Sequence, residues 1–408
     1  MMLTGSWKMV SNGIPMHEKI YIEYMGCPQR ALDARRLADY FFKNGVLVSK
    51  NPKNSDYILF ITCACKKNDE DIAVKRIKEL NKYKAKLIVG GCLKAINKKR
   101  LEGFFQGPTI TTSDIDQIDQ LFPHFLEKFR EIPDTNQPYP RNKLQLLRLF
   151  LGSLRWDFSF IKPVVDYLKR KSSKKYWFIR AAWGCIREHC TYCSVWKAVG
   201  ELRSKPLDDC IREFKEGLRR GYTNILFSAD NLGAYGLDIN LTLPDLLKQI
   251  VATEGNYGVE LENCHPRWII KYLDDLLPIL TSGKIKLIRC AIQSGHSRIL
   301  SLMKRGHTSE QIKKSLLKIK GIYSPIKLHT QIIIGFPSET EPEFEETLSC
   351  VKEIGFKLVF ISGYCRSPGL GNINLIKQEI SQDVIKQRIN KAMKFFKKNK
   401  IAYFVYSS

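Results

Sequence analysis

The sequence lacks the two features that would direct a chain to or across a membrane. No run of about 18 apolar residues is present, so no transmembrane helix is predicted. The N-terminus has no basic segment followed by an apolar one, so no secretion signal is predicted, and residues 1–17 are expected to form a flexible leader. Without such a signal, the 12 cysteines indicate a reducing compartment and metal or redox chemistry rather than disulfides. We therefore expect a cytoplasmic protein with no membrane partner.

Acidic residues are scarce relative to basic ones. The 408-residue chain has 41 Asp and Glu against 66 Lys and Arg, which gives a formal net charge of +25. An excess of this size favours a polyanionic partner, RNA above all, or an acidic peptide. The alternative is that the lysines are spread over solvated helix faces and select no partner. The length and the 44% apolar content predict two or three folded domains.

Three cysteines lie close together directly after a predicted strand, at Cys185, Cys190 and Cys193. Three thiolates on one short loop can hold three irons of a [4Fe–4S] cluster and leave the fourth iron open to an exchangeable ligand. The alternatives are a structural zinc site and buried free cysteines. Zinc usually needs a fourth ligand, and His189 is poorly placed to supply it between two candidate ligands. We therefore favour an iron–sulfur cluster on this loop.

The N-terminal third alternates strands with helices. The predicted strands are residues 20–24, 46–49, 57–62 and 86–90, and the predicted helices are residues 31–43 and 69–82. This order predicts a doubly wound parallel α/β domain over residues 18–106, with its site at the carboxyl ends of the strands. Cys27, Cys63 and Cys92 follow three of these strands, so we expect them to converge and hold a second cluster. Cys65 is an alternative to Cys63, which we prefer because it comes first after its strand, and the other five cysteines are expected to bind no metal.

Residues 107–175 are predicted to connect two domains. Five prolines interrupt the first part of this segment, residues 144–154 have apolar side chains at helical spacing, and a basic stretch lies at residues 169–175. We expect the connection to pack on both neighbours. Docking to a membrane surface or to the substrate is the alternative.

From residue 176 onward, strand and helix alternate six times. The predicted strands are residues 177–182, 224–229, 258–263, 286–292, 327–335 and 357–362, with helices that begin near residues 207, 243, 267, 308 and 340. Six such units over residues 176–375 predict a partial (β/α)6 barrel of the TIM type, with its site at the carboxyl ends of the strands. Residues 376–408 are expected to form a basic helix, from about residue 377 to 398, and a short apolar tail at residues 401–406.

Taken together, the motifs resemble the radical S-adenosylmethionine (SAM) methylthiotransferases over nearly the whole chain. The matching phrases are Gly26-Cys27-Pro28-Gln29, Thr62-Cys63, Gly91-Cys92-Leu93, Asp230-Asn231, Gln293-Ser294-Gly295, Met303-Lys304-Arg305-Gly306 and residues 334–340. The resemblance implies an enzyme with two [4Fe–4S] clusters and SAM. The cluster that cleaves SAM to a radical would be held by Cys185, Cys190 and Cys193. An auxiliary cluster carrying the sulfur that is methylated and transferred to a C–H carbon would be held by Cys27, Cys63 and Cys92.

The resemblance also implies SAM-binding roles by position. The candidate residues are Tyr192, expected near the adenine, and Asp230, Asn231, Gln293, Ser294, Arg305 and Gly335. The chain departs from the family pattern at three places. Its cysteine loop reads Cys-x4-Cys-x2-Cys, one residue longer than usual, Gln331 stands where the family has Asp, and the C-terminal substrate-gripping barrel of the TRAM type is not expected.

Two kinds of macromolecular substrate are compatible with the sequence. The opening at residues 26–29 is similar to the branch of the family that acts on an aspartate of a ribosomal protein. A peptide or protein substrate is therefore slightly favoured, and the positive charge of the chain would suit an acidic peptide. The charge keeps a tRNA adenosine as a close alternative. Two other functions stay open: a radical SAM enzyme that inserts sulfur or makes a thioether, and a basic, metal-stabilised RNA-binding protein. An electron donor such as flavodoxin or ferredoxin is the expected redox partner.

Overall fold

The computed structural model describes residues 18–140, 176–186, 190–367, 370 and 379–406. Two predictions, the leader at residues 1–17 and the apolar helix at residues 144–154, lie outside the described residues, as does the basic stretch at residues 169–175. None of the helices in the described ranges is long and apolar enough to cross a bilayer.

The N-terminal domain is a parallel four-stranded sheet with helices between its strands. Its strands are β1 (Lys19–Tyr24), β2 (Leu47–Ser49), β3 (Tyr57–Thr62) and β4 (Lys86–Gly91), in the order β2-β1-β3-β4. The helices are α1 (Pro28–Lys43), α2 (Lys67–Leu80), α3 (Cys92–Ile96) and α4 (Lys98–Glu102). The sequence of β3, Tyr-Ile-Leu-Phe-Ile-Thr, is apolar on both faces because both faces of a parallel sheet are covered. The predicted α/β fold is confirmed.

Part of the predicted connection packs on the N-terminal domain itself. The segment of residues 110–132, which includes the short helix α5 (Ile118–Leu121), buries its apolar side chains in the same core as β1 and α1. The rings of Phe122 and Phe125 stack with centroids 4.8 Å apart. The following segment reaches the barrel, where Asn136 pairs through its backbone carbonyl with the amide of Phe178 at 3.0 Å. This part of the chain therefore contacts both neighbouring domains.

The second domain is a parallel sheet of barrel type. Its strands run β13-β12-β11-β10-β9-β8-β5, all parallel, where β5 is Tyr176–Arg180, β8 Asn224–Ser228, β9 Gly258–Cys264, β10 Ile285–Cys290, β11 Lys327–Ile334, β12 Leu358–Gly363 and β13 Ala402–Tyr406. The helices are α6 (Val195–Val199), α7 (Leu207–Arg219), α8 (Leu243–Ala252), α9 (Pro266–Lys271), α10 (Leu273–Leu280), α11 (Ser297–Leu302), α12 (Ser309–Ile322), α13 (Glu341–Ile354) and α14 (Gln382–Lys398). A small antiparallel pair, β6 (Ala182–Trp183) and β7 (Arg203–Ser204), flanks the cysteine loop.

The last strand corrects one sequence expectation. Residues 401–406 were expected to be an apolar tail, but Ala402–Tyr406 form β13, which pairs in parallel with β12 and adds a seventh strand to the predicted six. Helix α14 lies between these two strands in the chain, as helices lie between the preceding strands of the sheet. In the described residues, β5 and β13 are the two edges of the sheet, so the barrel is open between them.

Buried polar contacts join the two domains. Gln29 on α1 donates through Nε2 to the hydroxyl of Ser228 at the end of β8, at 2.7 Å. Arg180 at the end of β5 donates to Asp33 at 2.6 Å. Leu32, on the same face of α1, packs against apolar residues of β5 and β8. The first half of α1 therefore docks on the strand ends where the barrel site is predicted.

Candidate metal and cofactor site

The loops after β1, β3 and β4 pack directly on one another. Gly26 has a φ of +100°, and a Cβ atom there would lie 2.8 Å from the Cβ of Cys63. Gly91 has a φ of +93°, and its Cβ would lie 2.4 Å from the carbonyl oxygen of Thr62. Only glycine allows this backbone conformation and this approach together. The structure thus brings together the three loops that carry Cys27, Cys63 and Cys92.

A buried guanidinium lies among these cysteines. Arg30, in the first turn of α1, pairs with Asp33 at 3.2 Å. Burial alone would lower the pKa of Arg30, but Asp33 and the thiols of Cys92 and Cys27 outweigh it, so the pKa is raised. The arginine is therefore a fixed positive charge beside the anionic thiolates that a metal would require. The sequence signals Arg30 only by its position three residues after Cys27, at the same helix end.

Cys63 and Cys65 are neighbours in space as well as in sequence. Their Sγ atoms lie 3.3 Å apart, with Cys63 buried and Cys65 half-buried. The Cys65 thiol also donates to Asp69 at 3.2 Å. Both cysteines of this loop are therefore placed where they could bind a metal. The preference for Cys63 in the auxiliary cluster stays a prediction.

The barrel cysteine loop begins at a position that only glycine can occupy. Gly184 has a φ of +79°, and a Cβ there would lie 1.9 Å from the carbonyl oxygen of Glu201. Its amide donates to the Asp230 carboxylate at 3.0 Å, and the amide of Cys185 donates to the Gly200 carbonyl at 3.0 Å. These bonds fix the point at which Cys185 leaves the sheet.

The second half of the cysteine loop is fastened to the end of α11. Thr191 donates from its amide to the carbonyl of Met303 at 3.2 Å and from its hydroxyl to the carbonyl of Leu302 at 2.9 Å. The amide of Cys193 donates to the carbonyl of Cys190 at 3.1 Å, which closes a tight turn. Residues 187–189, within the longer Cys-x4-Cys spacing, lie outside the described residues.

Arg305 holds the middle of this loop. Its Nη1 lies 3.4 Å from the Sγ of Cys190 and 3.2 Å from the hydroxyl of Tyr192, while Nη2 donates to the Ala291 carbonyl at 2.6 Å. Burial alone would lower the pKa of Arg305, but Tyr192 and Cys190 outweigh burial and raise the pKa. Arg305, predicted as a SAM contact, is therefore hydrogen-bonded to a candidate cluster ligand. The half-buried Tyr192 packs against an apolar cluster that includes Met303.

The cysteine thiols suit a metal that displaces protons. Burial, reinforced by Cys190, raises the pKa of Cys185 to about 11 and that of Cys193 to about 12. Burial likewise raises the pKa of Cys92 to about 12. These thiols stay protonated near neutrality without a metal, and a bound iron would replace each proton. Two groups of three sulfur donors fit two clusters that each have one open iron.

Asp230 links the two cysteine groups. Its carboxylate accepts the Gly184 amide and lies within electrostatic reach of both Cys27 and Cys185. Burial raises the pKa of Asp230, and Arg30 opposes that rise. The carboxylate therefore lies between the N-terminal and barrel cysteines, and its role in SAM binding stays a prediction.

Two buried amide side chains at the strand ends have oxygen atoms that could accept hydrogen bonds from a ligand. Asn231 follows β8, and Gln293 follows β10. Gln293 has a strained backbone conformation, with a φ of +68°. Both residues are buried, and their side-chain oxygens have no hydrogen-bond partner within the described part of the chain. Buried polar atoms are almost always paired in a folded protein, so a polar ligand such as SAM fits here.

Two other predicted SAM contacts have structural partners. The Ser294 hydroxyl lies 3.3 Å from the hydroxyl of Thr347 on α13. Gly335 has a φ of +80°, and a Cβ there would lie 2.3 Å from Cγ1 of Ile385 on α14. Ser294 and Gly335 therefore help to pack the outer helices, and a direct role in SAM binding stays a prediction.

Comparison with known proteins matches both halves of this arrangement. Residues 184–351 match the Radical SAM superfamily, and residues 19–110 match a family described as "Uncharacterized protein family UPF0004". Among solved structures, the fold is similar to the radical SAM methyltransferase TsrM from Kitasatospora setae, with a TM-score of 0.57 and 12% identity over 85% of this chain and 73% of that one.

Curated relatives match nearly the whole chain. The probable threonylcarbamoyladenosine tRNA methylthiotransferase of Pyrococcus abyssi is 30% identical over 86% of this chain and 78% of its own length. That of Pyrococcus horikoshii is 29% identical over 91% and 82%. The ribosomal protein uS12 methylthiotransferase RimO of Thermotoga petrophila is 27% identical over 91% and 81%. This chain therefore belongs to the radical SAM methylthiotransferases, enzymes that use SAM and [4Fe–4S] clusters to transfer a sulfur-containing group to a macromolecule.

Proposed function

We propose that the two cysteine groups divide the reaction between them. The cluster at which SAM is cleaved is assigned to Cys185, Cys190 and Cys193, and the auxiliary cluster to Cys27, Cys63 and Cys92. The observation that carries this assignment is the placement of both groups at strand ends joined by α1, with Asp230 in electrostatic reach of each. When bound, the clusters supply the electron that cleaves SAM and the sulfur that is transferred.

The protein's own residues orient and charge-balance these groups. Arg305 holds Cys190 in place and offsets the negative charge that the loop gains when its thiols lose their protons. Arg30 does the same for the N-terminal cysteines. The unpaired amide oxygens of Asn231 and Gln293 are assigned to the polar ends of SAM, which carry an ammonium group and hydroxyls that can donate to them.

The proposed product carries a methylthio group on a carbon that bore an unactivated C–H bond. A related enzyme that only inserted sulfur, or that made a thioether, would leave no methyl group from SAM in the product. The mass of the product therefore discriminates between these reactions.

A tRNA adenosine has two lines of support as the substrate. The two Pyrococcus relatives, at 29% and 30% identity, are described as tRNA methylthiotransferases. The net charge of +25 suits a polyanion, because phosphate contacts dominate the affinity of nucleic-acid binding.

A peptide or protein side chain has separate support. The Thermotoga relatives are described as acting on ribosomal protein uS12. The opening Gly26-Cys27-Pro28-Gln29 is similar to that branch, and a +25 chain can also hold an acidic peptide by charge.

One assay tests the reaction and separates the substrates. Reconstituted enzyme is given SAM labelled in its methyl group, a chemical reductant in place of flavodoxin or ferredoxin, and either unmodified tRNA or ribosomal protein and peptide pools. We expect label in one macromolecule, with the mass of one methylthio group in place of hydrogen. The variant Cys27→Ala, Cys63→Ala, Cys92→Ala should still cleave SAM but give no labelled product. Labelled product from that variant, or SAM cleavage with a product that lacks methyl, would contradict the proposal.

A further inference from the structure

A compact set of metal-binding side chains lies on the loop between β3 and α2. The Sγ atoms of Cys63 and Cys65 are 3.3 Å apart, and Asp69 lies 3.2 Å from the Cys65 thiol. One ligand atom from each residue can be chosen so that all three lie within 4.8 Å of one another. Two soft sulfurs and one carboxylate are a ligand set that suits zinc or another divalent transition metal.

The sulfur separation fits one metal ion better than two sites of a cluster. Two thiolates on one tetrahedral zinc, with Zn–S bonds of about 2.3 Å, lie about 3.8 Å apart. The cysteines that hold a [4Fe–4S] cluster instead each bind a different iron. Cys63 and Cys65 need to separate by only about half an ångström to share one ion. We propose that Cys63, Cys65 and Asp69 bind a single divalent transition-metal ion, such as Zn²⁺ or Fe²⁺, in the protein that lacks its N-terminal cluster.

The local fold presents the three ligands from rigid elements. Cys63 follows β3 directly, and Asp69 lies in the first turn of α2, where a carboxylate is stabilised by the helix dipole. Cys65 lies between them, so the loop can close around an ion without moving either element.

Lys66 lies beside this set without occupying it. Its ammonium donates to the Ser362 hydroxyl at 2.9 Å and lies 4.2 Å over the ring of Tyr406. Two thiolates, one carboxylate and a divalent ion carry a net charge of −1, and the nearby lysine offsets it. The barrel thus keeps this positive charge close to the proposed ion while leaving the ligand atoms free to bind it.

The proposed ion and the N-terminal cluster are alternatives because both use Cys63. Binding of the ion replaces the two thiol protons, which go to solvent, and changes no oxidation state. Assembly of the cluster would keep Cys63 as a ligand and release Cys65. The inference does not rest on the proposed function, because it concerns the chain without its N-terminal cluster, whether or not that chain has enzymatic activity.

Cobalt binding tests the proposal without any enzymatic reaction. The full-length chain is first made with Cys185→Ser, Cys190→Ser and Cys193→Ser, so that the barrel loop cannot bind the metal. Co²⁺ is then titrated anaerobically, because a thiolate-bound ion shows a sulfur-to-cobalt charge-transfer band. Four further changes are compared in this background: Cys65→Ser, Asp69→Asn, Cys27→Ser with Cys92→Ser, and Cys365→Ser. Cys365 is a matched control because it is a half-buried cysteine that lies near Lys66 but outside the proposed ligand set.

The expected result is one Co²⁺ per chain, with a charge-transfer band that falls by roughly half in Cys65→Ser. Loss of a residue that only hydrogen-bonds to a metal ligand already weakens metal binding about tenfold or more, so loss of a ligand should cost at least as much. Asp69→Asn should therefore bind Co²⁺ more weakly but keep the charge-transfer band, because both sulfurs remain. The Cys365→Ser and Cys27→Ser/Cys92→Ser variants should bind as their parent does. The proposal is overturned if Co²⁺ binds nowhere on this background, or if the band survives Cys65→Ser unchanged and disappears with Cys27→Ser/Cys92→Ser. The second result would leave the proposed auxiliary-cluster site intact, so the two assignments can fail separately.

Discussion

Gly26→Ala should disrupt the N-terminal cysteine site and leave the barrel cysteine site intact. The new Cβ atom would lie 2.8 Å from the Cβ and 3.1 Å from the Sγ of Cys63, on a backbone with a φ of +100°. The nearest obstacle is therefore the cysteine side chain itself, which must rotate or shift to relieve the contact. A displaced Cys63 can no longer bind iron together with the cysteines of the two adjacent loops.

Gly221→Ala is the matched control for the magnitude of this effect. Gly221 has a similar φ of +80°, but a Cβ there meets nothing within 4 Å. The left-handed conformation costs an alanine about 1–2 kcal/mol at either position. Overpacking against Cys63 adds about 1–3 kcal/mol at Gly26 alone. We therefore expect the free energy of unfolding of Gly26→Ala to be about 1–3 kcal/mol lower than that of Gly221→Ala.

The assay combines denaturant unfolding with the iron content of anaerobically reconstituted protein. Wild type and Gly221→Ala should each hold about eight irons, and Gly26→Ala about four, because one four-iron cluster is lost. If Gly26→Ala holds as much iron as Gly221→Ala and is equally stable, the packing of the Gly26 loop on Cys63 does not define a metal site.

Three further changes test other parts of the account. Arg305→Met should lower the iron content of the barrel site and the rate of SAM cleavage. Arg305→Lys keeps the positive charge and should retain more of both. Equal loss in the two variants would contradict a role for the charge. The buried Asp134 carboxylate lies 3.6 Å from Arg180 and pairs with Lys205 at 3.1 Å. Burial alone would raise the pKa of Asp134, but Arg180 and Lys205 hold it below its usual range. The stabilisation is therefore present above an unfolded pKa of about 3.9 and lost in acid. Asp134→Asn should cost about 3 kcal/mol at neutral pH, with the difference from wild type shrinking as the pH falls through that range; a difference that is independent of pH would refute it. Ser228→Ala removes the buried acceptor of the Gln29 amide and should cost about 1–3 kcal/mol in denaturant unfolding; no change would mean that this bond does not hold the two domains together.

Much of the fold could be predicted from local patterns. The strand at Tyr57–Thr62 was predicted without error, and most others within one or two residues, because short apolar runs bounded by polar residues are unambiguous when helices alternate with them. Short helices such as α6 and α11 were not predicted, since a run of five or six residues has too few turns to show helical periodicity. The strand at Ala402–Tyr406 does not show in the sequence, because its parallel partner β12 lies some 40 residues earlier, with α14 between them.

The sequence predicts which cysteines form the site but not which other side chains contact them. The cysteine positions followed from their places after predicted strands. The bond between Arg305 and Cys190 joins residues 115 positions apart, and no local pattern indicates it. The position of Arg30 among the thiols, and of Asp230 between the two cysteine groups, likewise depends on how α1 docks on the barrel. Ser294 and Gly335 also contact outer helices, and the motifs at these strand ends do not indicate those contacts.

The most direct test of two separate cluster sites is the iron and sulfide content of three reconstituted proteins. These are wild type, the N-terminal variant Cys27→Ala/Cys63→Ala/Cys92→Ala, and the barrel variant Cys185→Ala/Cys190→Ala/Cys193→Ala. The account predicts about eight irons in wild type and about four in each variant, with SAM cleavage retained only when the barrel cysteines are present. About four irons in both wild type and the N-terminal variant would contradict it, because the N-terminal cysteines would then hold no cluster.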